Sequence, residues 1–93
     1  MATHSWTRQE LLDQVAAAIA ETRAHPDAAS LSRVLIELED VTARLKAGET
    51  LTREYRRTLF FDTIAVRELD DSADTHQPYL HRLSEIASAI NGN

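Results

Sequence analysis

Residues 51–69, LTREYRRTLFFDTIAVREL, decide the fold, because they form the longest helical segment that the pattern predicts and are apolar on two sides. At about 100° per residue, Leu51, Tyr55, Leu59, Ala65, Val66 and Leu69 share one arc of a helix, and Phe60, Phe61 and Ile64 share a second arc across from it. A single helix over 51–71 therefore needs two apolar neighbours. Asp62 falls within the first arc, where a carboxylate is costly to bury unless it is hydrogen-bonded or paired, which makes it the candidate buried polar group. Thr58, one turn earlier, is the nearest donor for it.

Upstream, Thr7 and Glu10 have the spacing of a capping box, and Trp6 is placed to staple against Leu11, so a helix is expected over about 8–24. Its apolar line is Leu12, Val15, Ala16 and Ile19, with Leu11 flanking, and the alanines among residues 16–20 permit close approach of a neighbour. Pro26 ends it, since a proline disfavours helical geometry at the preceding His25. The next helix, over about 28–46 and capped by Asp27 or Ser30, has the cleanest pattern: Leu31, Val34, Leu38, Val41 and Leu45, alternately three and four apart. This is a bundle face widened by Leu35, and it is too short to argue for a coiled coil. Gly48 suits the left-handed residue that closes a helix, and Thr50 or Thr52 can cap the helix that follows. A last helix is expected over about 76–91, with Pro78 in its first turn and Tyr79, Leu83, Ile86 and Ile90 as its stripe, broadened by Leu80 and Ala87.

Four helices with short connections give an all-α, single-domain chain over 1–93, arranged as a four-helix up-and-down bundle or as a helical-hairpin homodimer. Two glycines and two prolines in 93 residues leave little turn chemistry for strands. The net charge of −5 argues against a duplex nucleic-acid binder, which needs a basic surface, and favours a basic protein partner. The chain has no cysteine, hence no disulfide, thiolate nucleophile or Cys-based zinc site. The opening MATHSWTRQE holds no apolar run of the signal type and no membrane-length apolar stretch follows, so a cytoplasmic location without membrane association is expected.

Chemistry-bearing patterns are sparse. His76 and His81 are five apart and do not share a helix face, and Asp70, Asp71 and Asp74 lack the alternate spacing, glycine and closing glutamate of a calcium loop, so neither metal nor cofactor is expected. There is no glycine-rich phosphate loop and no Gly-x-Ser-x-Gly elbow. RQELLDQVAAAIAETR, over 8–23, resembles the first helix of the helical chorismate mutases in its arginine ends; that family's helix is longer and Pro26 ends this one. A small helical mutase is thus one alternative, with no site carried over, and a non-enzyme is the expectation. Arg53, Arg56 and Arg57 gather near the start of the central stretch, and Glu68, Asp70, Asp71 and Asp74 near its end. Set against the helix dipole, these charges fit a docking surface that an acidic end presents to a basic partner. With Phe60, Phe61 and Ile64 as anchors, the expected function is a small acidic protein-interaction module. In size, charge and helix content it looks similar to the small immunity proteins of the nuclease colicins, which implies a bacterial inhibitor, although their adjacent tyrosine pair is missing. The other alternative is a homodimeric structural, assembly or chaperone-like subunit that self-associates through Phe60, Phe61 and Ile64.

Overall fold

The computed structural model describes residues 6–69 and 73–91, without the side chains of 73–77. Among them the chain forms α1 (Arg8–Ala24), a 3-10 turn (Ala28–Leu31), α2 (Ser32–Lys46), α3 (Arg53–Arg56), α4 (Phe61–Leu69) and α5 (Ala73–Asn91).

The signals at the helix ends act as their chemistry requires. Thr7 Oγ1 accepts from the Glu10 amide at 3.1 Å, while Glu10 Oε1 accepts from the Thr7 amide at 2.8 Å, closing the capping box. Trp6 packs on the core beside it. His25 leaves helical geometry before Pro26, and its Nδ1 accepts from the Asp27 amide at 3.0 Å. Gly48 adopts φ +80°, which lets its amide reach Leu45 O and the Glu49 amide reach Arg44 O, so that orphan carbonyls of α2 are satisfied. Thr52 caps α3 through the Tyr55 amide. The last helix starts earlier than its pattern predicts, at Ala73, which puts Pro78 beyond the first turn.

α1 packs on α2 and α5, and α4 packs on the same two helices, closing a ring in the order α1, α2, α4, α5. Arginines define the directions. Arg8 Nη1 donates to Leu45 O (3.2 Å) and Glu49 O (3.1 Å), joining the start of α1 to the end of α2. Arg56 Nη1 donates to Ile90 O at 3.0 Å, joining α3 to the end of α5. Arg82 on α5 donates to Glu21 and Gln14 on α1 at 2.9 and 2.6 Å. Neighbours are thus antiparallel, as in an up-and-down four-helix bundle whose third member is broken.

All five seam residues of the second predicted helix, from Leu31 to Leu45, are buried, as are Tyr79, Leu83, Ile86 and Ile90 on α5. Two expectations need correction. On α1 the core takes Val15, Ala18 and Thr22, while Leu12 and Ile19 are half-buried and Ala16 is exposed. The helix expected over 51–71 is interrupted at 57–60. There the Thr58 and Leu59 amides tighten onto Tyr55 O and Arg56 O, and the Phe60 amide leaves the helix to donate to Glu37 Oε1 on α2 at 2.7 Å. The reason is geometric: on a continuous helix Leu59 and Phe61 would project about 200° apart. With the chain turned, Leu51, Tyr55 and Leu59 pack on the same core that buries Phe61, Ala65 and Leu69.

The two adjacent phenylalanines therefore have opposite roles: Phe61 is 1% exposed and Phe60 is 51% exposed. Phe61→Ala is expected to lower unfolding free energy by about 3–5 kcal/mol, whereas Phe60→Ala should stay within about 0.5 kcal/mol. Urea titrations that give equal costs at both positions would contradict this placement.

Candidate functional site

Among the described residues the ring of helices leaves one large concavity on its outside, an open groove of about 750 Å³ between α1 and α2. Its floor is apolar, made of Leu12, Ala16, Ile19 and Ala20 from α1 and Leu45 from α2. Leu12, Ala16 and Ile19 belong to the line that the sequence assigns to the core, displaced because Val15, Ala18 and Thr22 take that place. Small side chains at 16 and 20 keep the groove open. The rim is polar, with Arg8, Asp13, Arg23, Glu39 and Lys46 among its residues. Much of that charge is satisfied internally: Arg23 pairs with Glu39, Arg8 caps α2, and Asp13 accepts from Gln9 at 2.9 Å. What remains is a hydrophobic trough with little net charge of its own.

On the other face of α2, a smaller recess of about 230 Å³ lies between α2 and the break, lined by Arg33, Ile36, Glu37, Asp40, Tyr55 and Leu59 among others. Tyr55 is its centre. The Tyr55 hydroxyl donates to Asp40 Oδ2 at 2.5 Å, and the Arg44 guanidinium lies 3.9 Å from the ring centroid while its Nε bonds Asp40 Oδ2 at 3.0 Å. The tyrosine hydroxyl, followed by Arg44, holds the Asp40 carboxyl below its ordinary value. Burial, reinforced by the Asp40 bond, pushes the Tyr55 phenol up, so it stays neutral and acts as a tether. A second tether joins α1 to α5, where Thr22 Oγ1 and Tyr79 Oη lie 2.6 Å apart in the core, and burial raises the Tyr79 phenol.

The residues singled out from sequence are dispersed. Phe61 is in the core and Ile64 is half-buried against it, so they do not form a surface with Phe60. Glu68 is exposed; Asp70 and Asp71, and the side chain of Asp74, lie outside the described residues. Asp62 is half-buried rather than buried, and it borders a shallow depression with Ser84, Ala87, Ser88 and Asn91. Its position in the first turn of α4 suits a carboxylate. Thr58 does not reach it, because Thr58 Oγ1 donates to Tyr55 O at 2.6 Å. Among the described residues the carboxylate that is buried is Glu37, 5% exposed, accepting from the Phe60 amide and from Arg33 Nε. The sequence holds a faint sign of it: Glu37 directly precedes Leu38 and lies three residues from Val34, at the margin of the α2 seam. Among the described residues no three His, Asp or Glu side chains could hold a metal ion, and no helix is long and apolar enough to cross a membrane.

Comparison with protein-family models, with curated proteins and with solved structures finds no match to this chain.

The Asp40 bond to Tyr55 has a pH signature. A depressed carboxyl contributes stability that is present above its unfolded value of 3.8 and lost as pH falls through the lower folded value. Tyr55→Phe is expected to move the Asp40 carboxyl titration upward, as followed by carboxyl-carbon NMR, and to shrink the acid limb of the stability profile. An Asp40 titration unchanged in that variant would show that Arg44 alone sets it.

Proposed function

We propose that the chain is a small protein-interaction module that accepts an amphipathic helix of a basic partner protein in the groove between α1 and α2. The observation that carries this reading is the groove itself, about 750 Å³ with an apolar floor and a polar rim, a form suited to a helix laid in with its apolar face down. Leu12, Ile19 and Leu45 would contact the partner's anchors, and Ala16 and Ala20 would admit its backbone closely. The basic character of the partner follows from the net charge of −5 over the whole chain, carried outside the groove, whose lining sets Arg8, Arg23 and Lys46 against Asp13 and Glu39. Such a field accelerates encounter more than it tightens the complex. Exposed Glu68 contributes to it. In its narrower form the module is an inhibitor of the immunity type that occupies a surface of a basic toxin, a reading supported by size, charge and helix content. No chemical step is assigned to it.

A photo-reactive amino acid at exposed Ala20 tests this in the source cell: a crosslinked basic protein is expected, and it can then be purified. Against that protein, Ala16→Arg and Ala20→Arg should weaken affinity at least about tenfold, corresponding to about 1.4 kcal/mol or more. They should leave thermal unfolding unchanged, because both alanines are exposed. Raised salt should slow association while dissociation stays nearly constant. Full affinity in both arginine variants, or an acidic partner, would overturn the reading.

A further inference from the structure

The lining of the α1–α2 groove is uneven along its length. At one end Arg8, from the start of α1, and Lys46, from the close of α2, come together, because Arg8 Nη1 donates to Leu45 O at 3.2 Å and to Glu49 O at 3.1 Å. That contact uses one of the three guanidinium nitrogens. Among the described residues neither Nε nor Nη2 has an acceptor, and no carboxylate pairs with either cation. Arg23 on α1 and Glu39 on α2 mark the other end, and their charges are already joined to each other. Between the two ends Asp13 accepts from Gln9, a neutral donor. The groove therefore has unspent donors at one end, a closed ion pair at the other and a single anion between them.

This arrangement gives a bound helix a direction. The carboxyl end of a helix offers last-turn carbonyls, or a terminal carboxylate, and these are acceptors for the free N–H groups of Arg8 and for the Lys46 ammonium. The amino end offers amide donors instead, which neither cation can accept. The floor points the same way, because α1 supplies Leu12, Ala16, Ile19 and Ala20 to it and α2 supplies Leu45. The α1 dipole is thus the one an occupant lies closest to, and a carboxyl end beside the start of α1 sets opposite dipole ends together.

We propose that the helix accepted by the groove runs antiparallel to α1, with its carboxyl end held by Arg8 and Lys46 and its amino end beside the Arg23–Glu39 pair. This rests on the groove being the docking site of the proposed function, and it adds the direction and end chemistry of the occupant. Arg23 is 15 residues beyond Arg8, about 22 Å of helix, so the segment held is about four turns long. Asp13 stands five residues beyond Arg8, so a lysine or arginine about five residues before the occupant's carboxyl end lies level with it. The net charge and the two cations act at different ranges: the first draws a basic protein, and the second selects which end of its helix lies where.

The probe is a synthetic amphipathic peptide of about four turns, kept helical by a lactam bridge on its polar side. It has leucines three and four apart and a lysine level with Asp13, and it is made with a nitroxide near its amino end or near its carboxyl end. In amide NMR of the protein, the first form should broaden Arg23 and Glu39, and the second should broaden Gln9 and Lys46. The reverse pattern, or both ends broadened alike, overturns the proposed direction and leaves the docking reading standing; a peptide that broadens no groove amide in either form overturns both. In fluorescence anisotropy, replacing the terminal carboxylate by an amide should weaken binding about threefold, and Lys46→Gln, at an exposed site, should shrink that difference. An acid and an amide held equally well, or a difference untouched by Lys46→Gln, overturns the role given to the two cations.

Discussion

One hydrogen bond, from the Phe60 amide to the buried carboxylate of Glu37, organises this bundle. A helix of ordinary geometry cannot point Leu59 and Phe61 to the same side, yet both pack on a single core. The chain resolves the conflict by stopping, turning and restarting, and each restart exposes amides that need acceptors. Glu37 supplies one from α2, and its negative charge sits at the start of α4 where the helix dipole favours it. Arg33 neutralises the other oxygen, so burial of the carboxylate leaves no oxygen without a partner.

Arginines serve the architecture in a comparable way. Arg8 and Arg56 end at backbone carbonyls near the C-termini of α2 and α5, where a guanidinium satisfies orphan acceptors and opposes the negative end of the dipole. Arg82 bridges α5 to α1, and Arg44 stacks on the ring of Tyr55 while pairing with Asp40. The basic cluster of the central stretch therefore divides, with Arg56 a tether between helices and Arg57 left exposed beside Arg53. A charge pattern set against the dipole of one helix over 51–71 loses that meaning once α4 begins at Phe61 with Asp62 in its first turn.

How legible each element is in sequence follows from what specifies it. α2 and α5 carry large branched or aromatic side chains at alternating three and four spacings, and every seam position is buried. Caps are equally clear, since Thr7, Thr52 and Gly48 act within a few residues of themselves. α1 is only half legible: a run of alanines gives periodicity little to discriminate, and the true face through Val15, Ala18 and Thr22 includes a polar residue satisfied by Ala18 O and by the Tyr79 hydroxyl. The break is hard to read because the acceptor that holds the freed Phe60 amide lies 23 residues away in the chain, and the conflict between Leu59 and Phe61 shows only once both are known to face one core. The site suffers from both failures. Phe61 reads as an anchor only on a continuous helix, and Leu12, Ala16 and Ile19 read as core only on a differently rotated α1.

These two errors share a cause in where the apolar surface lies. Apolar surface in excess of one core is present, but the large groove among the described residues lies between α1, the helix whose sequence is least amphipathic, and α2, and not on the central segment with its two apolar arcs. An alanine-rich helix can present a second greasy side at little entropic cost, because alanine has no rotamers to order when a neighbour arrives. Leucine or phenylalanine at 16 and 20 would fill the trough with the chain's own atoms. The small residues keep it open, and the Arg23–Glu39 pair ties up part of its charged rim. In the proposed function, recognition there would select shape first, and the acidic remainder of the surface would set how fast a basic partner arrives.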